Sequence, residues 1–387
     1  MSLSADPETR AWAYLSRVAE PPCADLVSLV RRVGPVDAAA RVRRGVVTPD
    51  LARRTAARRD NDCTQADLDL LDRLGGRLIT PLCDEWPTVA FAGFTGADMV
   101  RRGGQPLVLW ALGPARLDEL SGRAAAIVGT RAATAYGEQV ACDMAAGLAE
   151  REVAVISGGA YGIDGAAHRA ALAAEGVTVA VLAGGIDVRY PAGHSALLHR
   201  IARRGLLVTE YPPGVRPARH RFLTRNRLVA ATAGATVVVE AGLRSGAAST
   251  AAWARALGRV VAAVPGPVTS SASAGCHALL RRGAELVTRV DDVVELVGAI
   301  GELADEEPHP VTALDGLGDT ERQVYDALPG RGAATVEEIA LAAGCIPEQA
   351  LGPLAILELA GLVTRREGRW GIVRDVAGRT ARAEPLV

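Results

Sequence analysis

The stretch VAVISGGAYGIDGAAHRAALAAEGVTVAVLAGG, from Val153 to Gly185, decides the fold. A short apolar run stops at two glycines, an alanine-rich stretch of helix length follows, and a second valine-rich run stops at another glycine pair. Such runs are too short for buried helices and too continuous for a half-exposed strand, so they read as buried parallel strands joined through a helix. The same rhythm extends both ways. AAAIVG precedes it, LLVTE, ATVVVEA and RVVAAVPG follow, and GEQVACDMAAGLAERE, HSALLHRIARRG and ASTAAWARALG lie between as helical segments. Strand and helix alternating this often predict an α/β fold, a doubly wound parallel sheet. RLITPLCDEWPTVA through PLVLWALG adds strands at its front.

On either side the pattern changes. Short helical segments from about Trp12 to Asp72, broken by Pro21, Pro22, Gly34 and Pro35, predict a helical domain over 1–72. Within it VRRVGPVDAAARV reads as helix, glycine turn, helix, either a phosphate-binding hairpin or an ordinary packing unit. The sheet domain spans 73–300. GELADEEPHPVTALDGLG, residues 301–318, is acidic and aperiodic and reads as a linker. Three helical stretches and a tight two-strand hairpin over 319–387 predict a winged helix. Its third helix, PEQALGPLAILELAG, carries Glu348 and Glu358 but no arginine, so it suits a protein contact or packing better than a major groove. Only the wing is basic, with Arg365, Arg366 and Arg369.

Composition narrows the function. A formal net charge of -1 gives no chain-wide attraction to nucleic acid or anionic lipid, so anion binding has to come from local clusters of the 43 basic residues, all of them arginine. With no lysine a Walker loop is excluded, and GTRAATAYG is not a dinucleotide fingerprint. The six cysteines show no C-x-x-C pair, so no zinc site or disulfide framework is expected and a reducing cytoplasm fits. No apolar stretch is long enough to span a membrane, and the start of the chain lacks a signal-peptide pattern. Neither a metal nor a cofactor is expected.

In a doubly wound sheet the ligand lies beyond the carboxyl ends of the strands. The loops there, GTRAATAYG, SGGAYGID, AGGIDVRYP, TEYPPG, EAGLRSGAAS and PGPVTSSASAG, are built of small residues that let backbone amides approach an anion. RHRFLTRNR, residues 219–227, supplies the charge. From Tyr211 to Val239 there are five arginines (Arg216, Arg219, Arg221, Arg225, Arg227) and no carboxylate. Two readings stand side by side: guanidinium groups facing phosphates, or a brace in which Arg225 and Arg227, at the opening of an apolar helix, pair with Glu210 and Glu240. Phe222, in what reads as a polar loop, is either a core residue or a ring on which a base stacks, worth about 1 to 3 kcal/mol. Because a duplex hides its base faces, the second option favours single strands.

Catalytic signals are weaker. Asp164 and His168, four apart, share a helix face, but Asp164 stands at an N-cap position and no third metal ligand accompanies them. Ser157, Ser245 and Ser249 lie in the glycine loops without a histidine spaced to activate one, and His277 beside Cys276 is an isolated pair.

Taken together, AIVGTR, ISGGAYGIDGAAHRAAL, VAVLAGGIDVRYP, TEYPPG, FLTRNRLVA, VVVEAGLRSGAAST and AVPGPVTSSASAGCHALLRRGA, in this order over residues 126–284, resemble the DNA-processing proteins DprA, also called Smf. The resemblance implies an extended Rossmann-like domain between a helical SAM-like domain and a winged helix. It also implies a non-enzymatic, cytoplasmic homodimer that binds and protects single-stranded DNA during natural transformation and loads the RecA recombinase onto it. Its DNA pocket would use Arg131, Ser157, Gly158, Gly159, Arg219, Arg221, Phe222, Arg225, Asn226, Arg227, Ser245 and Gly246. Tyr161, His277 and Leu223 depart from the family pattern, where arginine, asparagine and proline are usual, and Tyr161 puts one phosphate contact in doubt. The rival reading is a nucleotide-processing enzyme resembling phosphoribohydrolases, for which Glu240, Asp164 and Asp187 are the candidate carboxylates.

Overall fold

The computed structural model describes residues 6–96, 103–298, 301, 314 and 316–373. The chain divides into two compact units, Met1–Asp305 and Glu306–Val387. Most of the 301–318 segment read as a linker lies outside the described residues.

The first unit is built on β1 (Arg77–Ile79), β2 (Leu109–Leu112), β3 (Ala124–Val128), β4 (Ala154–Ser157), β5 (Thr178–Val181), β6 (Leu206–Thr209), β7 (Ala235–Val238), β8 (Val260–Ala263) and β9 (Glu285–Leu286). They form one sheet in the order β1-β2-β6-β5-β4-β3-β7-β8-β9. From β6 to β9 all pairings are parallel, while β2 runs antiparallel to both β6 and β1. The front strands are therefore an antiparallel extension of a parallel sheet.

Successive side chains of a strand point to opposite faces, and β3 separates two cores on that basis. Ala124, Ala126 and Val128 join one apolar cluster with Val229, Ala251 and Ala254; Ala125 and Ile127 join the other with Ala141, Met144 and Leu148. α7 (Ala135–Glu150) and α8 (Ile163–Ala173) thus cover one face, and α10 (Arg219–Ala231) and α11 (Gly246–Ala256) the other. α9 (Ser195–Arg204) packs on β5 and β6. Earlier in the chain α5 (Thr88–Phe91) and α6 (Leu117–Ser121) flank β2, and later α12 (Ala274–Leu280) and α13 (Val290–Val297) flank β9.

The N-terminal helices are α1 (Pro7–Val18), α2 (Ala24–Arg44), α3 (Pro49–Thr55) and α4 (Thr64–Leu74). α2 breaks at Gly34, whose φ of 76 is left-handed, with Pro35 following, so the helix, glycine turn and helix read from the sequence are present. The boundary expected after residue 72 is not a gap in the packing: Ala13, Leu68 and Leu71 share a cluster with Trp110, Leu172, Ala180 and Leu198 of the sheet layer.

The second unit consists of α14 (Asp319–Asp326), α15 (Val336–Ala343), α16 (Pro347–Leu359) and the antiparallel hairpin of β10 (Val363–Arg366) and β11 (Arg369–Ile372), closed on Trp370, Leu354 and Ile339. This is the winged helix. Among the described residues no single helix is long and apolar enough to cross a membrane.

Candidate functional site

Strand order reverses at β3, whose successors run to β4 on one side while β7 enters on the other, and in such sheets the crevice beyond that point receives the ligand. A cavity of about 900 Å³ opens there. Its walls come from the loop after β3 (Gly129, Thr130, Arg131), the turn after β4 (Gly158, Ala160), α10 and the loop after β7 (Gly242 to Gly246).

RHRFLTRNR is not a loop. α10 starts at Arg219, with the amides of Arg221 and Phe222 donating to the carbonyl of Ala218. Helical spacing then sorts the segment. Arg219, Phe222, Leu223, Arg225, Asn226 and Val229 fall on one side and line the cavity, whereas Arg221 and Arg227 do not. Arg227 is fully buried, and its Nη2 donates to Glu210. Arg221 points to the N-terminal helices, where Nε and Nη2 donate to the two oxygens of Glu20 at 2.6 and 3.0 Å. The expectation that these two arginines face a ligand is corrected by their neighbours: each is engaged by a carboxylate away from the cavity.

Arg225 occupies a middle position. It is buried, and its Nη1 donates to the carbonyls of Gly158 (2.6 Å) and Val181. A Cβ on Gly158 would press on that guanidinium, so a larger residue in the turn would displace Arg225. Burial pulls the Arg225 pKa down, against the charge of Asp164. Asn226 donates from Nδ2 to the carbonyl of Gly246 at 3.3 Å and so ties α10 to the start of α11.

The SGG turn is closed from within. Ser157 is buried and donates to the carbonyl of Ile127 at 2.7 Å, and the Gly158 amide donates to Asp164 at 3.1 Å. Neither Ser157 nor Gly159 lines the cavity, so two of the three residues expected to read phosphate there serve the turn instead. Asp164 is not the N-cap of α8 either, a place held by Gly162; its carboxylate reaches back to the turn amides, with burial raising its pKa against the pull of Arg225. Ser245 does cap α11, its Oγ accepting from Ala248 at 3.3 Å, and Gly246 is exposed at that helix start.

Three guanidinium groups remain: Arg131, Arg219 and Arg244 line the cavity, are exposed, and have no carboxylate partner among the described residues. Arg131 sits over the Phe222 ring, 5.1 Å from its centroid, and the Tyr190 ring lies 5.6 Å from it at 49°. Phe222 is only partly buried. The one carboxylate in the cavity lining is the buried Asp164. Arg244 and Tyr190 were missed in the sequence; each stands in a strand-end loop, EAGLRSGAAS and AGGIDVRYP, where a lone cation or aromatic was the available signal.

The catalytic candidates do not assemble. His168 is fully buried and donates from Nδ1 to Thr178 Oγ1 at 2.7 Å, because the Thr178 hydroxyl is itself donated to the Val155 carbonyl; burial pulls its pKa to about 3. Glu240 accepts from the amide and hydroxyl of Thr134 at 2.9 and 2.6 Å, and Asp187 accepts from the Gly214 amide at 2.8 Å. Of the brace foreseen with Glu210 and Glu240, the Arg227–Glu210 pair is present, and among the described residues neither Arg225 nor Arg227 pairs with Glu240. Tyr161 accepts from the Gly193 amide at 3.2 Å and lies outside the cavity; His277 meets the Gly266 carbonyl at 3.0 Å. Among the described residues no three potential metal ligands cluster.

Comparison with known proteins gives a consistent result. The family model for DNA recombination-mediator protein A matches residues 78–298, and that for the DprA winged helix domain matches 307–369. A Mycobacterium tuberculosis protein assigned as DNA processing protein DprA is 74% identical over 378 residues, 97% of each chain. The DNA processing protein DprA of Streptococcus pneumoniae is 40% identical over 189 residues, 49% of this chain and 66% of its own length. The X-ray structure of DprA from Streptococcus pneumoniae covers 75% of this chain and 97% of its own, with a TM-score of 0.60 and 30% identity.

Proposed function

The chain belongs to the DNA recombination-mediator protein A family, and from that premise we propose that its groove binds single-stranded DNA and that the protein, as a cytoplasmic homodimer, protects incoming strands in natural transformation and loads RecA onto them. One observation carries the reading: Arg131, Arg219 and Arg244, none paired with a carboxylate among the described residues, surround the partly exposed Phe222 in a single cavity at the switch point of the sheet. Guanidinium groups take phosphates while a base stacks on the ring, and a duplex offers no free base face. The start of α11, where Ser245, Gly246 and Ala247 line the cavity, adds the positive end of a helix dipole. Free thiols at all six cysteines fit a reducing compartment.

The reading needs no catalytic step. Glu240 and Asp187, two carboxylates a phosphoribohydrolase would use, hold loop amides away from the cavity, and Asp164 is closed into the turn beneath it. The test is a competition measurement with the full chain, in which an unlabelled single strand displaces a fluorescent oligonucleotide at least tenfold better than its duplex. RecA assembly on the same single strand should accelerate when the chain is present. Equal competition by duplex would remove the base-stacking role, and release of free base from nucleoside monophosphates would restore the enzyme reading.

A further inference from the structure

The connection from β5 to α9 and the helix itself carry charge that the groove does not use. From Val188 to Thr209 the chain has no aspartate or glutamate, and it exposes Arg189, Arg200, Arg203 and Arg204. α9 buries Leu197, Leu198 and Ile201, which pack with Leu68 and Leu71 of α4, and leaves His199, Arg200, Arg203 and Arg204 facing out. Spacings of three and four residues align them as one stripe. None of the four arginines is paired with a carboxylate among the described residues; Arg189 donates to Nδ1 of His199 at 3.4 Å. Arg203 and Arg204 also complement the helix dipole at its C-terminal end, but that does not account for Arg189 or Arg200.

Side-chain contacts join this stripe to the groove. Tyr190 lines the cavity against Phe222, its neighbour Arg189 meets His199, and from there the stripe follows α9 away from the rim to Arg204, about 8 Å at 1.5 Å per residue. We propose that the outward face of α9 binds the phosphates of a single strand continuing from the groove. The polynucleotide then has two contiguous contacts, nucleobases at Phe222 and Tyr190 and backbone along Arg189, Arg200, Arg203 and Arg204. Forked guanidinium donors on a helix without acids suit phosphate diesters, and contact with the groove rim is what commits the face to the same strand. This inference rests on the groove reading above.

The test compares the native chain, the triple variant Arg200→Gln/Arg203→Gln/Arg204→Gln and Phe222→Ala, each with thymidine oligonucleotides of about 6 and about 20 nucleotides, bracketing the roughly 4 to 16 nucleotides that a single-strand groove covers. The triple variant should bind the short oligonucleotide like the native chain and the long one about tenfold more weakly, with the log affinity against log salt slope shallower by about 2, as loss of three phosphate contacts requires. Superimposed long-oligonucleotide curves for the native and triple-variant chains, with Phe222→Ala weakening both lengths, would overturn the α9 contact alone and leave the face to an acidic protein partner. Failure of the native chain to bind the short oligonucleotide, or an unchanged Phe222→Ala, would overturn the groove reading and this inference with it.

Discussion

In the groove the Arg131 guanidinium lies 5.1 Å from the centroid of the Phe222 ring; in the wing that of Arg365 lies 5.5 Å from the centroid of Trp370. The pairs are chemically alike and differ in their surroundings. Trp370 is 4% exposed and packs with Leu354 and Ile339, while nearby Arg369 donates to Glu338 at 2.9 Å and the Arg365 amide donates to Glu358 at 3.2 Å. Phe222 borders a wide cavity, and Arg131, Arg219 and Arg244 around it have no carboxylate partner among the described residues. An arginine over an aromatic ring is therefore not by itself a mark of ligand binding. What separates the two regions is that the wing ring is closed into a core with Glu338 paired to the neighbouring Arg369, whereas the Phe222 ring keeps an open edge.

The sharpest way to break this contrast is to truncate each ring. Trp370→Ala removes a buried indole from a small core and should destabilise the second unit by about 3 to 5 kcal/mol, read by urea unfolding of the full chain, with single-strand affinity unchanged. Phe222→Ala should do the reverse, costing about 1 to 3 kcal/mol of single-strand binding with little change in unfolding. If Phe222→Ala unfolds the chain and leaves binding intact, the ring is a core residue and the two regions are the same kind of structure.

A finer test compares the cations. Replacing Arg131, Arg219 or Arg244 by Gln should each make the slope of log affinity against log salt shallower by about 0.7, the value for one phosphate on a single strand, whereas Arg366→Gln in the wing should leave it unchanged. Equal loss at Arg366 would show that the wing also touches the strand.

Much of this architecture was legible because its signals are local. The valine-rich runs at β3 to β8 are fully or nearly fully buried, and a strand hidden on both faces has an unambiguous sequence. The sorting of the arginines was legible only in part: the flanking Glu210 suggested a partner for Arg227, but nothing suggested one for Arg221. Glu20 meets Arg221 across 201 positions, and nothing near either residue announces the other. The start of α10 was hidden for a related reason: Ala218 offers no capping side chain, and the cations of the first turn oppose the helix dipole, so the usual start signals are absent. Phe222 was consequently placed in a loop, although its neighbourhood of arginines was read. The turn at Ser157 looked like a phosphate cradle because its own anion, the Asp164 carboxylate, lies a few residues along the same chain.

Glu20 supplies what the first turn of α10 lacks, and it sets the smallest expected effect. Arg219, His220 and Arg221 crowd positive charge onto the positive end of a helix, an unfavourable arrangement without a nearby acid. Glu20 answers it by accepting from Arg221 and also from Arg58 at 2.8 Å, with His220 at 3.3 Å. Burial alone would push the Glu20 carboxyl up, but hydrogen bonds from Arg221 and Arg58, the Arg221 charge and His220 outweigh it and hold the pKa at about 2. A carboxyl whose folded pKa lies below its unfolded value stabilises the fold above the unfolded pKa and stops doing so as pH falls through the folded one. This contribution should be complete above about pH 4.5 and fade toward pH 2. Because the side chain remains partly exposed, its effect is damped by solvent. Glu20→Gln should remove that acid-dependent part of the unfolding curve and, by loosening the turn that carries Arg219 and Phe222, weaken single-strand binding a few-fold at neutral pH. Glu20→Asp should restore the acid dependence in part. If both variants match the native chain in amide hydrogen exchange at residues 219–222, the first turn of α10 holds without Glu20, and the free and paired arginines of that helix are set by its own packing alone.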